Sequence, residues 1–190
     1  KQFQMVFQDP YSSLNPTMTV YNTLKEVINF HNKNLNNKEI DNKVLNLLDL
    51  VGLNKDLKNR KPKALSGGQR QRVGIARSLA VNPKILLLDE PVTALDVSIQ
   101  AQILNLLKQL NQQLKLTMIL VAHELSIIDF MCSKVAVMYL GKIIEFGNRD
   151  DIFNNPKHPY TIGLINSMPK LNPEKRSRKA ALSGDIPSPF

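Results

Sequence analysis

The sequence predicts an α/β fold built on a parallel sheet, and three observations predict it. Ile85-Leu86-Leu87-Leu88 and Thr117–Val121 are short apolar runs of strand length, which reads as strands buried on both faces. Between them Ile99, Ile103, Leu106, Leu107, Leu110 and Leu114 recur at helical spacing, so strand, helix and strand alternate. Each strand also runs into chemistry-bearing residues, Asp89-Glu90 after the first and His123 after the second. In an open α/β sheet, such groups collect at the carboxyl ends of the strands.

The remaining elements follow in order. Lys1–Phe7 alternates polar residues with Phe3, Met5 and Phe7, which suits a strand, and it runs through Gln8-Asp9-Pro10 into a polar loop ending at Asn15-Pro16. Thr17 or Thr19 can cap a helix whose apolar face is Val20, Leu24, Val27 and Ile28. The Asn/Lys-rich stretch Asn32–Lys38 is a loop. A second amphipathic helix carries Ile40, Val44, Leu47, Leu48 and Val51 and stops at Gly52. With no strand between them, these two helices form a small helical subdomain inserted in the α/β unit.

Leu65-Ser66-Gly67-Gly68-Gln69 leads into a helix with Val73, Ala76, Leu79 and Ala80 inward. Strand Lys84–Leu88 comes next, Pro91 stops it, and Asp96 caps the long helix. After Ala122-His123-Glu124, a helix over Leu125–Met131 precedes strands Lys134–Leu140 and Lys142–Phe146, joined at Gly141. From Asn148 short helical pieces are broken by Pro156, Pro159, Pro169 and Pro173, and the last twenty residues read as loosely ordered.

Composition narrows the function classes. A chain of 190 residues with 43% hydrophobic and 22% charged residues has the makings of one globular core. The lone Cys132 cannot form an internal disulfide, which fits a reducing compartment. No apolar run approaches the ~18 residues of a membrane span, and the start lacks a signal-peptide pattern. The net charge is +9, and nine basic residues against one acidic residue lie between Lys55 and Lys84. A second cluster holds Lys170, Lys175, Arg176, Arg178 and Lys179. Such clusters suit nucleic acid or an anionic membrane, or simply a solvated face that aids solubility. No aromatic residues interleave with them, which argues against a single-strand stacking platform.

The chemistry converges on phosphoryl transfer. A carboxylate after a buried strand can hold Mg²⁺, a second can polarise an attacking water, and a polar side chain can sense a terminal phosphate. Asp89, Glu90 and His123 supply those types, although a histidine by itself is as consistent with a hydrogen-bonded structural role. Ser66-Gly67-Gly68-Gln69 opens a helix. Its glycines let backbone N–H groups approach an anion, and its serine can cap the helix or donate to a phosphate oxygen.

Taken together, these motifs resemble the ATP-binding subunits of ABC transporters. Leu65–Gln69 matches the signature Leu-Ser-Gly-Gly-Gln, Ile85–Glu90 resembles the Walker B segment and Thr93–Asp96 the D-loop. His123 resembles the switch histidine and Gln8 the Q-loop glutamine. Asp9-Pro10-Tyr11-Ser12-Ser13-Leu14-Asn15-Pro16, His158-Pro159-Tyr160-Thr161 and Gly184-Asp185-Ile186-Pro187-Ser188-Pro189 resemble the oligopeptide/dipeptide import branch, and within it the second of two paired ATPase subunits.

The resemblance implies a partial P-loop NTPase-like ABC ATPase domain over 1–147, with its helical subdomain at about 17–63, and a C-terminal extension over 148–190. It implies ATP and Mg²⁺ as ligands. Glu90, His123 and Gln8 take catalytic roles, and Asp89 with Gln8 holds the metal. Ser66, Gly67, Gly68 and Gln69 complete the ATP site of an opposing subunit, and Asp96 links the two sites. The implied partners are a second ATP-binding subunit, two transmembrane permease subunits and, indirectly, an extracytoplasmic solute-binding protein, with no nucleic acid. The implied location is the cytoplasmic face of the cell membrane. A soluble ABC-type ATPase acting on nucleic acid or ribosomes is the alternative.

One family element is missing. The phosphate-cradling loop Gly-x-x-x-x-Gly-Lys-Ser/Thr does not occur in the 190 residues, and Gly141-Lys142-Ile143 does not replace it. In the family that loop lies upstream of Gln8, beyond Lys1. These 190 residues alone are therefore expected neither to grip ATP nor to hydrolyse it. Calorimetric titration with MgATP should give no micromolar binding to this chain, and such binding would contradict the expectation.

Overall fold

In a computed structural model, residues 2–168 are described. The second basic cluster, Pro169, Pro173, the Gly184–Pro189 segment and the expected loose order of the last twenty residues lie outside them. The chain divides into two compact units, Lys1–Val121 and Ala122–Phe190.

The first unit is organised by a three-stranded parallel sheet, β1 (Phe3–Val6), β2 (Ile85–Asp89) and β3 (Thr117–Val121), in the order β1-β2-β3. β2 is central because its apolar run carries no residue that must face water. Leu86 and Leu88 are fully enclosed, and Val6 lies beside Leu88 in the same register row. The opposite face is open. Phe3, Ile119 and Val121 are about half exposed, and Ile85 and Leu87 between them are half-buried. Parallel sheets usually carry helices on each side, and here the cover lies on one.

α1 (Val20–His31) and α2 (Asn37–Leu50) form the helical insertion. Thr19 caps α1 by accepting from the Asn22 N–H. Asn36 and Glu39 form a reciprocal capping box at the start of α2, inside the stretch read as loop. The enclosed side chains are Val20, Leu24 and Ile28 from α1 and Ile40, Val44 and Leu48 from α2, the i, i+4 pattern visible in the sequence. The Tyr21 hydroxyl donates to the Asp41 carboxylate and ties the pair together. Gly52, at φ +65°, ends α2 as a left-handed residue that a side chain would strain. Two short 3-10 turns, Lys55–Asn59 and Pro62–Ala64, occupy what the sequence leaves as a basic loop.

α3 (Gly67–Leu79) is enclosed on nearly every side, with Gln71, Val73, Ile75, Ala76, Ser78 and Leu79 all buried. α4 (Val97–Leu114) buries Ile103, Leu104, Leu106, Leu107 and Leu110, whereas Leu114 is 39% exposed at its end. Asp96 stands at the N-cap position of α4, but its side chain makes no capping bond, so the cap expected there is positional only.

The second unit holds α5 (Leu125–Met131), the antiparallel hairpin β4 (Lys134–Tyr139) and β5 (Lys142–Asn148), then α6 (Arg149–Asn154) and α7 (Pro159–Asn166). Leu140 and Gly141, both at positive φ, make the two-residue hairpin turn. Pro159 does not break a helix; it occupies the first turn of α7, where its missing N–H costs nothing. The Glu145 carboxylate accepts from the backbone N–H groups of Lys157 (2.8 Å) and His158 (3.1 Å), fixing the segment that enters α7. Among the described residues no helix is long and apolar enough to cross a membrane.

The two faces of the sheet give a direct test. Leu86→Ala, at a fully enclosed position, should cost about 2–5 kcal/mol of unfolding free energy, and Ile119→Ala on the open face of this chain much less. Denaturant titration of both variants checks the difference, and equal losses would contradict the one-sided core.

Candidate functional site

The parallel register assembles the first cluster. Val6 of β1 pairs with Leu88 of β2, so the residues two further along, Gln8 and Glu90, leave the same edge of the sheet together. There the Gln8 Nε2 donates to the Glu90 Oε2 at 2.9 Å. Asp89 closes β2 opposite Val121, and the Glu90 N–H donates to the Val121 carbonyl at 2.9 Å, carrying the backbone pairing one residue past the strand. Glu90 then turns into the left-handed region at φ +43°, a conformation that costs a non-glycine residue about 1 kcal/mol or more and is concentrated at functional sites. The turn is held from beneath. The Thr93 hydroxyl donates to the Glu90 carbonyl at 3.1 Å, and Pro91 and Val92 are buried. Strand end, turn and anchor together aim a carboxylate away from the core.

The loop after Gln8 is rigid for a local reason. The Asp9 carboxylate accepts from the N–H groups of Tyr11 (2.8 Å) and Ser12 (3.3 Å), and the Asp9 carbonyl accepts from the Ser13 N–H (3.2 Å). This is an Asx-type turn, with Pro10 pre-setting the backbone inside it. The Tyr11 N–H above all holds the Asp9 carboxyl below its ordinary 3.8, with Ser12 and Arg70 adding to the shift and burial opposing it.

The second cluster is the start of α3. Ser66 is the N-cap: its Oγ accepts from the Gln69 N–H at 3.2 Å, and the Gln69 Oε1 accepts from the Ser66 N–H at 3.0 Å. Of the two uses open to Ser66, capping is the one this geometry displays. The glycines have a packing role as well. A Cβ on Gly68 would lie 2.6 Å from the Ile99 side chain, and one on Gly67 would lie 3.1 Å from Leu95. Only glycine permits that approach, which sets the signature turn against the Thr93–Asp96 segment and the first turn of α4.

Of the sequence-predicted residues, Gln8, Asp89 and Glu90 gather at one sheet edge, and Ser66, Gly67, Gly68, Gln69 and Asp96 belong to the α3–α4 junction. His123 follows β3 by two residues and belongs to the second unit, where it is exposed. Among the described residues no three His, Cys, Asp or Glu side chains stand together as a metal cage.

Pattern reading missed the inward arginines. Arg70, Arg72 and Arg77 were counted in a basic face, yet all three are half-buried. Arg70 donates to the carbonyls of Leu65 (2.5 Å) and Pro62 (3.3 Å), and Arg72 and Arg77 donate to those of Val51 and Ser13. The legible signal was their place on a helix otherwise rich in buried residues. The Asx turn was legible too, in Asp9-Pro10-x-Ser12.

Residues 1–93 match the family model described as ABC transporter, and residues 144–189 match that described as Oligopeptide/dipeptide transporter, C-terminal region. The oligopeptide transport ATP-binding protein OppF of Bacillus subtilis is 47% identical over 174 residues, 92% of this chain and 57% of that protein. The dipeptide transport ATP-binding protein DppF of Escherichia coli is 45% identical over 190 residues, 100% of this chain and 57% of that protein. The chain thus spans little more than half the length of these relatives. Among solved structures, cbiO1 from Clostridium perfringens, part of the ABC transporter complex cbiONQ, superposes with a TM-score of 0.72 at 34% identity, covering 81% of this chain and 60% of that one. An ATP-binding cassette solved as a post-hydrolysis dimer with ADP and Pi gives 0.65 at 30% identity, covering 78% and 64%.

The Asp9 turn carries a pH dependence. A carboxylate with a depressed folded pKa stabilises its turn above the unfolded value of 3.8 and loses that contribution as pH falls through the lower folded value. Amide exchange at Tyr11 and Ser12 should stay slow, after correction for intrinsic rates, down to about that pH and accelerate below it. In Asp9→Ala, acceleration at all pH values is expected. Unchanged protection in the variant would remove the turn from the account.

Proposed function

We propose, from the premise that this chain belongs to the ABC transporter family of ATP-binding proteins and to its oligopeptide/dipeptide branch, that it forms the hydrolytic portion of a subunit powering peptide uptake. The observation that carries the reading is the Gln8–Glu90 hydrogen bond at the carboxyl edge of a parallel sheet. It places an amide beside the carboxylate that would accept a proton from the attacking water, and the amide orients that carboxylate and the water.

The residues present fit Mg²⁺. This ion keeps several waters and takes one or two carboxylates together with substrate phosphates, so Asp89 with Gln8 is a sufficient protein contribution and no all-protein cage is needed. MgATP, when bound, supplies the phosphoryl group and an electrophilic environment for its charge. His123 would contact the γ-phosphate. The Ser66–Gln69 turn, at the helix N-terminus, would meet the phosphates held by a second ATP-binding subunit, and Asp96 would join the two sites. Within this reading, 1–147 is the ATPase domain with its helical subdomain at about 17–63, and 148–190 is the branch-specific extension.

The partners are a paralogous or identical ATP-binding subunit, two permease subunits and, through them, an extracytoplasmic binding protein. The protein works peripherally at the cytoplasmic face of the cell membrane. Peptides are the cargo, the relatives' names covering both dipeptides and oligopeptides. Nothing observed favours the nucleic-acid alternative. Three of the nine basic residues between Lys55 and Lys84 are turned to backbone carbonyls rather than outward.

Glu90→Gln in the full-length protein tests the central role. Phosphate release should fall by about a hundredfold or more, the scale of a lost general base, while calorimetric MgATP affinity stays at the wild-type value. Near-normal turnover would take Glu90 out of the role of base.

A further inference from the structure

We propose that Arg77, with Arg70 about two helical turns before it, is a positioning residue that clamps the Gln8 loop to α3, so that Gln8 is held at Glu90 by the helix that carries the signature turn. The inference rests on the roles proposed above for Gln8 and Glu90 and adds residues to which neither the motifs nor the comparisons assign a role.

Three separate contacts join α3 to the segment around Gln8. The Ser78 hydroxyl donates to the Met5 carbonyl of β1 at 2.9 Å, before Gln8. The Arg77 Nη1 donates to the Ser13 carbonyl at 2.5 Å, after it. The Arg70 guanidinium lies over the Tyr11 ring at 5.0 Å, between the two. Gln8 is thus bracketed on both sides by bonds to one rigid helix. The Asx turn makes the bracket stiff, because Ser13 is itself bonded back to Asp9, the neighbour of Gln8. A pull on the Ser13 carbonyl is transmitted through that turn rather than absorbed by a loose loop.

The chemistry of Arg77 suits a clamp. It is half-buried, and a charge-assisted bond from a partly desolvated guanidinium to a carbonyl is stronger than a neutral one. Glu26 of α1 acts on it electrostatically, which brings the helical insertion into the same junction. Because Ser66 and Gln69 cap the other end of α3, the helix mechanically joins the Gln8–Glu90 pair to the turn that would serve the opposing site. Displacement at either end is carried to the other through the same three contacts.

The test uses the full-length protein in its assembled complex, with steady-state ATP hydrolysis measured against MgATP concentration. In Arg77→Met, kcat should fall by about ten- to a hundredfold, the scale of a misplaced catalytic group, with KM within about twofold because Asp89 and the contacts to the phosphates would still hold MgATP. Arg77→Lys should restore much of the rate, since its ammonium can still donate to the Ser13 carbonyl. Tyr11→Ala is the second variant. Tyr11 is 53% exposed, so the change spares the core, and it should lower kcat in the same KM-neutral way. Amide exchange at Ser12 and Ser13 should accelerate in both Arg77→Met and Tyr11→Ala. Wild-type kcat and wild-type exchange in Tyr11→Ala and in whichever Arg77 variants fold would overturn the clamp while leaving Glu90 and Gln8 in their roles. A raised KM with unchanged kcat would overturn it too. A wild-type complex without ATP hydrolysis would instead sink the underlying reading, and the clamp's catalytic role with it.

Discussion

The parallel pairing of β1 with β2 is the constraint on which the rest depends. Register in a sheet is discrete, and a slip of one residue would turn Val6 and Leu88 from the enclosed face to the open one. The enclosed face must therefore carry Val6, Leu86 and Leu88, and that requirement leaves Gln8 and Glu90 at the same edge. The hydrophobic core thus sets the position of a polar pair that contributes little to it. Glu90 adds a strained backbone at the moment the strand ends, which aims its carboxylate out of the sheet instead of along it.

α3 is the second organiser, and it works through close approach. Its N-terminus can press against α4 because residue 68 lacks a side chain. Along its length it sends Arg70, Arg72 and Arg77 to carbonyls of three different segments, so a helix with a polar sequence is in fact the least exposed of the unit. Half-buried charge of this kind persists because each guanidinium reaches at least one backbone acceptor. Besides its chain connections to β1 and α1, the Gln8 loop is tied to α3 by side-chain bonds. α3 therefore touches both the Gln8–Glu90 edge of the sheet and the helical insertion.

What is present is a pair of carboxylates, an amide and a capped helix start, the groups to which the proposed function gives the water and a partner's phosphates. Nothing in the 190 residues carries the Gly-x-x-x-x-Gly-Lys-Ser/Thr pattern that would hold the phosphates themselves. Family membership rests on the motifs that are present, and activity of the 190 residues alone is a separate question.

Periodicity and punctuation in the sequence determined the class of fold and most of its elements. Thr117–Val121 and Leu125–Met131 coincide with the observed β3 and α5, and Thr19, Gly52 and Gly141 end or begin elements where their chemistry predicts. Local interactions decide such features, so they are legible within a window of a few residues. The motif residues were legible for a different reason, because glycines and carboxylates in order restrict what the backbone can hold. Tertiary structure alone decided which sheet face is covered, that Asp96 caps without a side-chain bond, that Asn36 and Glu39 start a helix inside an apparent loop, and that the arginines of α3 face inward. Each of these depends on a partner distant in sequence or on competition between local options. An arginine at helical spacing reads as solvated until the carbonyl that receives it, 64 residues away in the case of Arg77, is brought within reach by the fold.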